Sequence, residues 1–423
     1  MQIPKFLQGI QGLAFATITA LKLILMTLTP LSLDLAFVIG QVTRPSKWAL
    51  APYGQFMRGI ISAWMTLPVD HPALVTSWTV DYFKGTVGLY VLVFLIKLPL
   101  LLLDILTGYA LFEIVRREGL GDRKACFAFW LWFLNPYVFL VNEMWGAVDL
   151  FPTLLLLVTL GLVQGKKVFG AAATLFVATA FKLFPVMIVL IFPALRRRSK
   201  TTLLLVVSGL LGVAAYFLWV SNAGYDPFLA LKQYDQFTQY FDEYLITTTA
   251  DQSVGLATIG IIASYAIMWE KWRHDRKEWL DAALLVFLIY FAFGNWFPQY
   301  FIWVIPFLTA DAAMGGRRLR YLASLISSAL FMDIAAFYGY FSSNGHAFFF
   351  IPAVGPTLMQ ALSAYATFSR ENLVIILLGP LARASFICTV ILYSIKIIDE
   401  RTNLFSALMN RLTKSARVVT NVE

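Results

Sequence analysis

Apolar runs of membrane-spanning length recur from one end of this chain to the other, and they constrain its fold more than any other feature. In hydrocarbon every backbone N–H and C=O must be paired within the spanning structure, so runs of about twenty apolar residues are read as helices. Twelve candidate spans follow, at roughly 10–30, 86–112, 125–141, 147–164, 168–183, 184–195, 201–221, 253–269, 279–294, 299–313, 319–341 and 373–397. The fifth and sixth are too short to span alone and read as a broken pair meeting around Lys182 and Pro185. Residues 348–366 are taken as an interfacial segment. With 59% hydrophobic and only 13% charged residues, 423 residues offer too little polar surface for a soluble protein. The expected fold class is therefore all-α, a polytopic helical membrane protein with about 12 transmembrane or part-spanning helices. It forms one integral membrane domain over 1–423. Within it, 1–221 is expected to be the catalytic module, with an outer loop at 31–85, and 222–423 a more variable module, with an outer loop at 222–252.

Charge sets the orientation. Every second loop is basic: Arg116, Arg117, Arg123 and Lys124; Lys166 and Lys167; Arg196 to Arg198 and Lys200; Lys271, Arg273, Arg276 and Lys277; Arg317, Arg318 and Arg320; and then Arg401, Arg411, Lys414 and Arg417 in the tail. The positive-inside rule places these loops and both termini in the cytoplasm. The formal charge of +9 is thus a topology signal, and nucleic acid is not an expected partner. The opposite side carries Asp34, Asp70, Asp81, Asp226, Asp235, Asp242, Glu243 and Asp251, and Asp149 falls there too. The first run contains Lys22 and lacks a clear small-residue cleavage site, so it reads as a retained span and not a signal peptide. Cys126 and Cys388 lie inside spans and imply no disulfide. Three histidines without ligand spacing argue against structural zinc, and no Walker, Gly-x-Gly-x-x-Gly or Gly-x-Ser-x-Gly motif is present.

The polar residues of the outward side are the candidates for chemistry. Asp34, just beyond the first span, can act as a general base at a dry interface; the plain alternative is a helix cap. Asp149, three residues before Pro152, fits an N-terminal cap equally well, with Glu143 and the interfacial aromatic Trp145 nearby. Lys182 stands at the outward end of the fifth span, where a lone ammonium can hold a lipid phosphate or simply snorkel. Asn295 and Gln299 sit in an aromatic turn, Phe293 to Tyr300, of a kind that grips sugar hydroxyls and that also makes ordinary interfacial turns. In the first outer loop Tyr53 precedes Arg58 and Trp64, on a stretch from Gln55 to Leu67 able to lie along the membrane. Arg58 there can face a phosphate or a lipid headgroup.

These residues and their neighbours resemble a family. Asp104-Ile-Leu-Thr107, Gly119-Leu-Gly121, Arg123-Lys-Ala-Cys126, Phe129-Trp130, Leu134-Asn-Pro136, the Asp149 region and Lys182-Leu-Phe-Pro185 stand in the order and spacing of membrane-embedded glycosyltransferases of the C-type fold. Gln299-Tyr-Phe-Ile-Trp303 with Pro306, and more weakly Ala51-Pro-Tyr53 through Leu67-Pro68, extend the match to about half the chain. The nearest resemblance is to the catalytic mannosyltransferases that add the first mannose of glycosylphosphatidylinositol and to their prokaryotic relatives. It implies a polyprenyl-phosphate sugar donor, a lipid or glycan acceptor, an extracytoplasmic or lumenal active site in a plasma membrane or endoplasmic reticulum, and transfer with inversion. It further implies Asp34 as the base, Lys182 and Arg58 on the donor phosphate, and Asp149, Asn295, Gln299, Tyr53 and Trp145 about sugar or acceptor. Two departures stand out. The family's Asp-x-Asp pair is reduced to Asp34, with Ser32 in the first position, so a divalent metal would lack its second carboxylate and no cofactor or metal ligand is assigned. The family's basic, His-containing stretch in the second large outer loop is replaced by the neighbourhood of Tyr234, Asp235, Tyr240 and Asp242, which leaves the acceptor open. A transporter or flippase of a lipid-linked sugar is the rival reading, since broken spans and buried charges mark transporters too.

Overall fold

The computed structural model describes residues 9–28, 59–60, 62–69, 87–144, 146, 148–192, 200–222, 250–272, 278–293, 298–315, 318–344, 373–404 and 406–407. Among them every regular element is helical. In chain order these are α1 (Gly9–Leu28), α2 (Val87–Arg117), α3 (Asp122–Phe133), α4 (Leu150–Gln164), α5 (Val168–Phe181), α6 (Val186–Val189), α7 (Lys200–Asn222), α8 (Ala250–Lys271), α9 (Glu278–Phe293), α10 (Pro298–Phe301), α11 (Ile305–Met314), α12 (Leu319–Asn344) and α13 (Leu373–Thr402). Four helical stretches among the described residues are long and apolar enough to cross a membrane: Tyr90–Arg117, Asp122–Glu143, Lys200–Trp219 and Pro380–Thr402. The expected outer loops 31–85 and 222–252 and the interfacial segment 348–366 lie wholly or mostly outside the described residues.

Several expected spans are broken by local chemistry. After α3, Asn135 caps a single turn, Pro136–Val138, by accepting from the backbone N–H groups of Tyr137 and Val138, and Pro136 occupies the first helical position where its missing N–H costs nothing. That turn runs on as a π-helix, Phe139–Met144. The wider winding of a π-turn re-aims side chains relative to an α-helix, and here it directs Asn142 and Glu143 into the bundle. The expected span at 299–313 is also divided: α10 is one turn, and α11 rises only about 15 Å at 1.5 Å per residue. That is half of the roughly 30 Å hydrocarbon thickness.

α9 and α11 are buried almost all round and form the middle of the bundle, and α11 packs on α2, α3, α9 and α12. α2 also receives α1, α3 and α4, while α5 joins α4 to α7 and α13 joins α9 to α12. Close approach of α5 and α7 requires Gly212, whose hypothetical Cβ would lie 1.9 Å from Thr179 Oγ1. Such small-residue contacts take the place of hydrophobic driving force between helices in lipid. Of the segment 31–85, the described part is anchored by Trp64, which is buried on Leu92 and Ile96 of α2 and donates from Nε1 to the Gly88 carbonyl at 2.8 Å. Val148 packs on the same cluster, so this loop segment reaches the turn that leads into α4.

Candidate functional site

That turn begins with Gly146, whose φ of 79° is a left-handed conformation that glycine adopts without strain. It delivers Asp149 to the start of α4. The sequence reading offered Asp149 as a helix cap, and the structure corrects this. Asp149 itself has helical dihedrals, φ −63° and ψ −20°, and its side chain makes no cap bond. Its Oδ1 instead accepts from Lys182 Nζ at 2.5 Å and from Trp303 Nε1 at 2.7 Å. The carboxylate is buried and shared between two elements that are distant in sequence.

Lys182 arrives because α5 stops at Phe181. The residue is extended, φ −153° and ψ 146°, and Pro185 opens the short α6 beyond it. The expected lone ammonium is therefore corrected to an ion-paired one, with 19% of its side chain still exposed. Its Nζ also lies 5.0 Å from the ring centre of Tyr300 and 5.7 Å from that of Trp303. Both rings can stabilise a cation through their negative faces.

Trp303 is the third member of this cluster, and reading the sequence did not place it among the candidate site residues. Its indole is stacked on Phe184 at 4.1 Å and 6° and on Tyr300 at 4.3 Å and 25°. These two stacks hold the ring, and its N–H is directed at Asp149. The signal was present in Gln299-Tyr-Phe-Ile-Trp303, where aromatics three residues apart precede Pro306. Gln299 is half-buried on α10, one residue before Tyr300. The other expected site residues, Asp34, Tyr53, Arg58, Trp145 and Asn295, lie outside the described residues.

A second polar cluster lies between α1, α2 and the π-helix. Lys22 Nζ donates to Asp104 Oδ2 at 2.8 Å and Glu143 Oε1 at 3.2 Å, and sits 4.2 Å from the ring centre of Phe133. Asn142 Nδ2 donates to the Leu100 carbonyl at 3.1 Å. Lys97, also fully buried, donates to the Met26 carbonyl at 3.0 Å and so satisfies an orphan acceptor in the last turn of α1. Asp104 Oδ1, Asn142 Oδ1 and Glu143 Oε2 are buried without hydrogen-bond partners.

A third cluster closes the other end of the bundle. Asp281 of α9 accepts from Arg401 Nε at 2.7 Å on one oxygen and from Arg318 Nη1 at 3.2 Å on the other. Arg318 also pairs with Asp311 and Glu400, and the Tyr393 hydroxyl donates to Asp311. Burial works against the Arg318 charge, but Asp311 and Asp281 outweigh it and hold the guanidinium above its ordinary range. Arg318 and Arg401, counted above as loop charges, thus spend their charge inside the protein. Among the described residues no three His, Cys, Asp or Glu side chains form a group able to hold a metal ion.

Comparison with known proteins gives one family. The profile of glycosyltransferase family 87 matches residues 72–297, more than half of the chain, and spans Asp104, Asp149 and Lys182. No curated protein gives a significant match.

Proposed function

The chain belongs to glycosyltransferase family 87, and on that premise we propose that it transfers a hexose from a polyprenyl-phosphate donor to a lipid- or glycan-linked acceptor at the extracytoplasmic face. The observation that carries this reading is the Asp149–Lys182 pair. A partly exposed ammonium stands at a helix break, at the bundle end opposite the buried arginines. Ionisable groups at such places bind ions or substrates by default. A lipid donor entering between helices would present its phosphate at this depth.

In the proposed reaction an acceptor hydroxyl oxygen attacks the anomeric carbon in line. The bond from that carbon to the phosphate oxygen breaks, and polyprenyl phosphate leaves with the electron pair. One displacement inverts the anomeric configuration. Asp34 takes the hydroxyl proton, while Lys182 with Arg58 stabilises charge growing on the leaving phosphate. Asp149, Asn295, Gln299, Tyr53 and Trp145 orient the sugar or the acceptor. Mannose is the proposed sugar, on the resemblance to the mannosyltransferases of glycosylphosphatidylinositol synthesis.

Purified protein incubated with a panel of polyprenyl-phosphate sugars should release polyprenyl phosphate from one of them in an acceptor-dependent way. Translocation of the labelled lipid across vesicles without sugar transfer would replace the enzyme by the transporter reading. Sidedness has its own test. Single cysteines at Leu50, Tyr240 and Thr420 should be labelled from outside at the first two positions and protected at the third; equal access at all three overturns the proposed orientation.

A further inference from the structure

One oxygen of Asp149 serves both Lys182 and Trp303, and the two donors differ in what they are free to do. Lys182 sits on extended backbone with a flexible four-carbon stem, keeps part of its side chain exposed and has the Tyr300 ring 5.0 Å away. Trp303 is buried and stacked against Phe184 and Tyr300, just before α11. A phosphate that arrives at Lys182 must compete with Asp149 for the same ammonium. If Lys182 turned to the phosphate, a carboxylate with no other donor would be stranded in a buried place, which is strongly unfavourable. The indole N–H supplies a bond that persists.

We propose that Trp303 is a positioning residue that holds Asp149 in place while Lys182 passes from this carboxylate to the donor phosphate and back. The proposal rests on the reading of Lys182 as a phosphate-binding residue. Asp149 then acts as the resting counter-ion of Lys182, and the Tyr300 ring gives the ammonium a favourable face during the exchange. Trp303 touches neither sugar nor phosphate; its effect is to lower the cost of releasing Lys182.

The test is a double-mutant cycle on the full-length enzyme, read as donor KM and kcat separately. Trp303→Phe keeps a stackable ring and removes the N–H. Asp149 should then retain Lys182 more strongly, and donor KM should rise about five- to tenfold, the worth of one hydrogen bond, with kcat changed much less. In an Asp149→Asn background the Asp149 carboxylate no longer competes for Lys182, so the same substitution should leave donor KM within about twofold. An unchanged KM in the single variant, or an equal rise in both backgrounds, overturns the proposal. Should Trp303→Phe fail to fold, Asp149→Asn alone decides the matter. With the Asp149 carboxylate gone, inhibition by polyprenyl phosphate, which carries no sugar for Asp149 to orient, should sharpen, and weaker inhibition overturns the exchange. Lys182→Ala separates the two levels. An unchanged donor KM there removes the phosphate reading itself, whereas a raised KM there with a flat Trp303→Phe result removes only the role of Trp303.

Discussion

The two ends of the bundle both bury ion pairs, but they are made from different cations. Around Asp281 the cations are Arg318 and Arg401, and each oxygen of Asp281 is taken by a different guanidinium. Planar forks with several donors lock carboxylates from α9, α11 and α13 into one network. At the other end a single lysine meets Asp149 on a broken helix, with an indole as the only other donor to that oxygen among the described residues. An ammonium is a point charge on a flexible stem and can exchange partners at little geometric cost. The arginine end thus fixes helices, and the lysine end carries its charge on a flexible stem.

Substitutions can break this contrast. The largest effect is expected from Asp34→Asn, which keeps shape but cannot take a proton. Sugar transfer should fall by about a hundred- to ten-thousandfold with normal expression. Transfer within about threefold of wild type would move the base assignment to Asp149. Next comes Arg401→Ala, which strips one oxygen of buried Asp281 of its guanidinium while Arg318 keeps the other. Thermal denaturation in detergent should reveal a loss of about 1.5–3 kcal/mol, the range of a hydrogen bond to a charged group, while the fraction that remains folded transfers sugar normally. A specific loss of turnover with unchanged melting would show that the arginine end also serves catalysis. Lys182→Ala should lower kcat/KM for the donor by about ten- to a hundredfold, the range of a charge-assisted hydrogen bond. Undiminished turnover at limiting donor would remove Lys182 from the site. The smallest effects come from the exchanges Lys182→Arg and Arg401→Lys. The first should cost severalfold in transfer with melting preserved, and the second should lower melting with transfer preserved. The reverse pattern would erase the contrast.

Sequence alone carried the helical membrane class, because apolar runs report on solvent directly, and it carried the break at Lys182, because Pro185 punctuates the run. It placed Asp149 and Lys182 on one side but did not join them. Their contact spans 33 residues and depends on how α4 and α5 pack, which hydrophobic periodicity does not encode. The capping motif misled for the same reason: Asp three residues before Pro is a sound local signal, and a tertiary partner overrode it. Arg318 and Arg401 were counted correctly as basic, yet nothing local announced that Asp281, inside an apolar run, would receive them. Trp303 was visible as a motif residue, but its role comes from the direction of one N–H, and direction is a property of packing.

Lys22 has a consequence for how the protein is made. An ammonium within an apolar helix such as α1 costs up to roughly 2.5–3.5 kcal/mol on insertion scales, the value for a helix centre. Its partners, Asp104 and Glu143, leave the ribosome 82 and 121 residues later. During synthesis α1 therefore enters the bilayer with a charge that nothing nearby can neutralise, and it settles only when α2 and the π-helix follow. Docking of the first helix becomes a late event in biogenesis, which makes this pairing a point where an assembly factor or a quality-control protease could tell a finished bundle from an unfinished one.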